Sequence, residues 1–183
     1  MDIKRLFIAL PLDFGLSNHI FKQFQSLDLP WEKLKTINPE QMNLTLKFLG
    51  DTPLEKLPKL IEALGDLKIK MGDIELNIDQ SKIFNPKRPQ VLNLSIKDNP
   101  NLQKLYDIID EKLFEESLAH KEIRKFSPHL TLARVRKSAE IAEFEAFSNW
   151  SINKSFIVSY FELIESELTS RGPIYTVLQT FEL

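Results

Sequence analysis

The sequence predicts two similar lobes of strands and helices facing a common cleft, on three observations. Short segments that alternate apolar and polar residues, or run apolar and rich in β formers, recur along the chain with helical patterns between them. The tetrapeptide Asn43-Leu44-Thr45-Leu46 returns as His129-Leu130-Thr131-Leu132, an offset of 86 residues (43 to 129). At that offset Leu6, Ile8 and Leu10 fall on Leu92, Leu94 and Ile96, and the helical pattern at 15–27 falls on that at 100–117. Both halves therefore read strand, helix, strand, helix in one register.

Taken in order, strands are expected at 4–10, 42–49, 73–80, 90–97, 129–134, 155–163 and 174–182. The first helix, 15–27, places Leu16, Ile20, Phe24 and Leu27 on one face. A second is expected to open at Asp51-Thr52-Pro53, a capping residue ahead of a first-turn proline, and carries Leu57, Leu60, Ile61 and Leu64. The third, 100–117, carries Leu102, Leu105, Ile109 and Leu113, and a short fourth covers about 138–147. Asn85-Pro86-Lys87-Arg88-Pro89 reads as a turn and not a boundary, so residues 1–183 are expected to form one two-lobed domain.

Composition narrows the functions open to such a chain. Its 183 residues are 43% hydrophobic and include no cysteine, which excludes a disulfide framework, thiolate metal sites and a cysteine nucleophile. His19, His120 and His129, far apart in sequence, offer little for a histidine metal site. With 24 Lys+Arg against 26 Asp+Glu, non-specific coating of nucleic acid is disfavoured, because that mode runs on summed cation-phosphate contacts. The apolar run Leu6–Leu10 breaks at Pro11 and Asp13 with no small-residue cleavage site after it. No stretch approaches a membrane span, and a cytoplasmic location is expected.

Chemistry concentrates on the repeated strands. Side chains alternate faces along a strand, so His129 and Thr131 are expected on the face opposite Leu130 and Leu132, and Asn43, Thr45 and Lys47 opposite Leu44, Leu46 and Phe48. With the leucines toward each lobe's helices, the cleft receives two hydroxyls, an imidazole, an amide and a lysine. That set suits a small anion whose reaction needs proton transfer. A single threonine is ordinary on a strand; equivalent polar pairs at equivalent positions exceed what strand propensity requires. His19, within the first helix, and His120, in the connection before the second motif, occupy no position that the repeat sends to the cleft.

The chain resembles the two-histidine phosphoesterases, specifically the RNA 2',3'-cyclic phosphodiesterases long called LigT or 2'-5' RNA ligases. The resemblance spans nearly the whole chain. It runs from Arg5-Leu6-Phe7-Ile8-Ala9-Leu10-Pro11 through Asn43-Leu44-Thr45-Leu46-Lys47-Phe48-Leu49-Gly50 and Arg88-Pro89-Gln90-Val91-Leu92 to Phe126-Ser127-Pro128-His129-Leu130-Thr131-Leu132-Ala133-Arg134. It closes on Leu163-Ile164-Glu165-Ser166-Glu167-Leu168 and Gly172-Pro173-Ile174-Tyr175. It implies an α+β, bilobal fold with antiparallel sheets around a central cleft and no metal or other cofactor. The implied activity is opening a 2',3'-cyclic phosphate at an RNA 3' end, or in a cyclic nucleotide, to a 2'-phosphomonoester, with possible 2'-5' joining. The expected partner is a short RNA, with no membrane and a monomeric state. By the resemblance His129 activates water, Thr45 and Thr131 hold the phosphate oxygens, and Arg134 contacts phosphate or sugar. Strict alternation turns Arg134 away from the cleft, so that role requires the strand to end or twist.

One position departs from the pattern. The first motif's histidine is Asn43 here, and an asparagine amide cannot transfer a proton at neutral pH. Three accounts stay open: a substituted residue in an otherwise active enzyme; a native asparagine with weak activity sustained by His129, the threonines and a water or Lys47; or a protein that binds RNA 3' ends or 2'-phosphonucleotides without turning them over. Basic residues cluster at 121–137 (Lys121, Arg124, Lys125, Arg134, Arg136, Lys137) and at 82–97 (Lys82, Lys87, Arg88, Lys97). They read as a solvated face or as a rim that steers an RNA end.

Overall fold

A computed structural model describes residues 2–67, 69–170 and 172–183. The first half opens with β1 (Ile3–Pro11) and α1 (Phe14–Gln25), then β2 (Leu34–Thr36), β3 (Asn43–Pro53) and α2 (Leu57–Gly65). The second comprises β4 (Ile74–Phe84), β5 (Val91–Ile96), α3 (Pro100–Glu115) and β6 (His129–Val135). It ends with α4 (Glu145–Ser148), β7 (Ser155–Val158), β8 (Tyr160–Thr169) and β9 (Gly172–Glu182). The described strands form one curled nine-stranded antiparallel sheet in the order β7-β4-β5-β6-β3-β1-β8-β9, with β2 on β6. The α+β fold of two similar lobes is as expected.

Between the lobes, β3 and β6 pair through a single residue pair, Leu44 with Leu130. These residues are equivalent in the repeat, so the pseudo-two-fold axis passes between them. Capping repeats too: Asp13 accepts from the Leu16 amide at 3.2 Å, and Asn99, at the same offset, accepts from the Asn101 and Leu102 amides at 3.0 Å. The strand register does not keep that offset. Leu10 pairs with Leu44, but Leu94 and not Ile96 pairs with Leu130. The second half thus has two more residues between its first strand and its helix.

The helices cover one face of the sheet. Ile20 and Phe24 of α1, Leu60 and Leu64 of α2, and Leu102, Leu105, Ile109 and Leu113 of α3 share one core with Leu6, Ile8, Leu44, Leu94 and Leu130. The opposite, concave face carries a separate small cluster of Phe7, Ala9 and Ile164 with Tyr175 against it.

Three expectations about elements are corrected. Asp51-Thr52-Pro53 does not open a helix: these residues complete β3 against Ile3, Lys4 and Arg5, and α2 starts after a 3-10 turn at Leu54–Lys56. The strand expected at 155–163 divides at Ser159, β7 pairing with β4 in one lobe and β8 with β1 in the other. Apolar residues run on either side of Ser159 and conceal the change of partner, although the buried positions shift phase across the crossing, from Phe156 and Val158 to Phe161 and Leu163. The fourth helix is one turn after a 3-10 segment, Ile141–Phe144.

Candidate active site

The site lies on the concave face around the Leu44–Leu130 pair, and two matching irregularities shape it. Thr45 pairs with Ala9 and Lys47 with Ile8, so Leu46 is an extra residue. In the other lobe Thr131 pairs with Asn93 and Ala133 with Leu92, making Leu132 the extra residue. A β-bulge of this kind reverses the side-chain alternation beyond it. Leu46 and Lys47 are both buried, as are Leu132 and Ala133, while Phe48 and Arg134 are exposed.

The bulges decide which way two of the expected side chains turn. Arg134 turns to the same face as His129 and Thr131, close enough to Tyr175 for its positive charge to act on that phenol. Among the described residues no carboxylate pairs with it. Lys47, expected in the cleft, instead points into the helix layer. It is 7% exposed, and its Nζ donates to Asp110 Oδ1 of α3 and, at 2.9 Å, to the His120 carbonyl. Phe48 takes the cleft position that alternation assigned to Lys47 and packs on Phe7 at 6.0 Å between ring centroids.

His129 is held in one tautomer. Its Nδ1 lies 2.8 Å from the Ser127 carbonyl oxygen; a carbonyl only accepts, so Nδ1 carries the hydrogen and Nε2 of the neutral ring keeps its lone pair. Asn43 repeats half of this arrangement. Its Nδ2 donates to the Gln41 carbonyl at 3.1 Å, and Gln41 stands to Asn43 as Ser127 stands to His129. The asparagine therefore reproduces the anchoring N–H of an imidazole and lacks the outward nitrogen. Its Oδ1 instead accepts from the Thr45 hydroxyl at 3.3 Å. The Thr131 hydroxyl has no hydrogen-bond partner among the described residues. His19 lies on α1 beside Gln23, 3.1 Å from its amide, away from the cleft.

Glu162 escaped the reading of the sequence because only strand pairing reveals it. Ala9 pairs with Thr45 on one side and with Glu162 on the other, which sets the carboxyl on the cleft face. Burial raises its pKa. A folded-state value above the unfolded one favours the protonated form, so this contribution to stability is lost as pH rises through the folded value. Glu162→Gln is expected to raise the melting temperature at pH 7 and to lose that gain below about pH 4, near the unfolded value. An equal shift at pH 3 and pH 7 in thermal melts contradicts it.

Comparison with known proteins decides the family. The family described as the 2'-5' RNA ligase superfamily matches residues 34–169. The chain belongs to that superfamily. The RNA 2',3'-cyclic phosphodiesterase of Archaeoglobus fulgidus is 31% identical over 181 residues, covering 97% of this chain and 99% of its own. The protein of the same name from Methanothermobacter thermautotrophicus is 30% identical over 184 residues, covering 98% of each. Among solved structures, TT0787 of Thermus thermophilus superposes with a TM-score of 0.83 at 26% identity, over 98% of this chain and 97% of its own. E. coli LigT complexed with 3'-AMP superposes at 0.80 and 24% identity, over 100% and 99%, a likeness in fold. The family expected from the resemblance is thus confirmed, and the Archaeoglobus and Methanothermobacter relatives both bear the name of phosphodiesterases. No helix among the described residues is long and apolar enough to cross a membrane.

Proposed function

We propose that the protein opens terminal 2',3'-cyclic phosphates of RNA to 2'-phosphomonoesters at a reduced rate, with one proton-transfer residue in place of two. The observation that carries this reading is the matched anchoring of Asn43 on Gln41 and His129 on Ser127. It leaves a general base on one strand and a non-titrating amide at the equivalent point on the other. Thr131 and Thr45 bind the non-bridging oxygens and offset the charge that builds on them, and Arg134 adds a fixed positive charge on the same face. His129 Nε2 takes a proton from water as the water oxygen bonds to phosphorus. The bond from phosphorus to the 3' oxygen breaks, and that oxygen takes its proton from solvent, since Asn43 can offer a hydrogen bond but not a proton.

The test is hydrolysis of an oligoribonucleotide ending in a 2',3'-cyclic phosphate, for the protein and its His129→Ala variant. A slow rate that His129→Ala abolishes is the expected result. Equal inertness of both proteins while the oligonucleotide still binds overturns turnover and leaves a binder of RNA ends.

A further inference from the structure

The pseudo-symmetry is broken beside the site, and a groove occupies the gap. In the second lobe β2 hydrogen-bonds to residues 133–135 of β6. At the repeat offset the same role in the first lobe falls to residues 120–122, opposite 47–49 of β3, but no ladder forms there. Past Leu44, β3 pairs with β1 alone, leaving an open strand edge. Between that edge and the segment 117–129 lies a groove of about 950 Å³ that opens onto Thr45 and His129. This is at the upper end of the roughly 300–1,000 Å³ of small-molecule sites.

Its lining has two chemistries. Phe48, Phe84 and Phe114 are 70%, 61% and 49% exposed and all line the groove; among the described residues the only other exposed phenylalanine is Phe14. Lys56, Lys121, Arg124 and Lys125 line it against the carboxylates of Asp51 and Glu122. Lys56 and Lys125 have no ion-pair partner among the described residues, and the pairs Lys121–Glu111 and Arg124–Glu122 are exposed. Exposed pairs contribute little and exchange readily for other anions. Exposed rings interleaved with cations beside a phosphate site form the platform that single-stranded nucleic acid uses, bases on the rings and phosphates on the cations. An extended peptide added to the open edge would need neither.

We infer that this groove carries the nucleotides upstream of the reacting end, so that the protein selects single-stranded RNA over mononucleotides. The inference rests on the cleft being an RNA-end site. Product ends allow it to be tested without turnover, by titrating the full chain with 2'-AMP and with a hexaribonucleotide ending in a 2'-phosphate. The hexamer is expected to bind at least about 10-fold more tightly, from stacking of one or more bases. Phe114→Ala with Lys125→Ala is expected to abolish most of that advantage, and Lys125→Ala alone to reduce the slope of log K against log salt by about 0.7. Melting curves check that these surface variants fold. Equal affinity for hexamer and 2'-AMP overturns the RNA path and leaves the edge open to an extended peptide. Failure of both ligands to bind overturns the RNA-end reading itself, a result distinct from equal binding.

Discussion

Replacing Asn43 by histidine is expected to raise the rate of the proposed cyclic-phosphate opening by about 100- to 10,000-fold, the contribution of one positioned general acid. The substitution suits the local geometry. An imidazole Nδ1–H takes over the hydrogen bond to the Gln41 carbonyl, as His129 already does on Ser127. Thr45 loses its Asn43 acceptor and its hydroxyl becomes free for the phosphate, as that of Thr131 is. The pH profile changes form as well. With a base alone, kcat/KM rises with pH to a plateau; with an acid added it becomes a bell. Initial rates on a cyclic-phosphate-ended oligonucleotide across pH 5–9 test both, and His129→Ala in the same background removes the gain. An unchanged rate and plateau profile in Asn43→His contradict the vacant-acid account.

Lys47→Met lowers stability by roughly 3–5 kcal/mol, the usual cost of removing one partner of a buried ion pair. At this chain length that corresponds to a fall in Tm of roughly 6–20 °C. Lys47 and Asp110 have side chains only 7% and 6% exposed. Asp110 also accepts from the Glu122 amide at 3.3 Å, and Lys47 holds the His120 carbonyl, so the pair ties β3 to α3 and to the far wall of the groove. The destabilisation comes mainly from stranding Asp110 as a buried charge. Lys47→Met combined with Asp110→Leu therefore recovers most of the loss, leaving about 1 kcal/mol for the unpaired Glu122 amide. Thermal melts of both variants decide it: a single variant that melts within a degree of the parent shows the pair to be unimportant.

Much of this was legible in the sequence. Apolar spacing marked the long strands other than β8, which it ran together with β7, and the faces of α1 and α3, because burial on one side of a strand or helix imposes a period. The repeat announced two equivalent strands, and the order of residues placed an amide where the second copy has an imidazole. Residue identity alone also determined that Asn43 cannot exchange a proton, since that follows from the functional group and not from its surroundings. The tertiary structure decided which way side chains point beyond Thr45 and Thr131. A bulge is a property of pairing, created when one strand has an extra residue against its neighbour, and nothing in Leu46-Lys47-Phe48 or Leu132-Ala133-Arg134 taken singly reveals it. That single irregularity, present twice, moves Lys47 out of the cleft and brings Phe48 and Arg134 in. Glu162 likewise joins the cleft only because β8 returns to pair with β1. The open edge of β3 exists because residues 120–122 do not form the strand that β2 forms, and the absence of a partner is a long-range fact that no local pattern encodes.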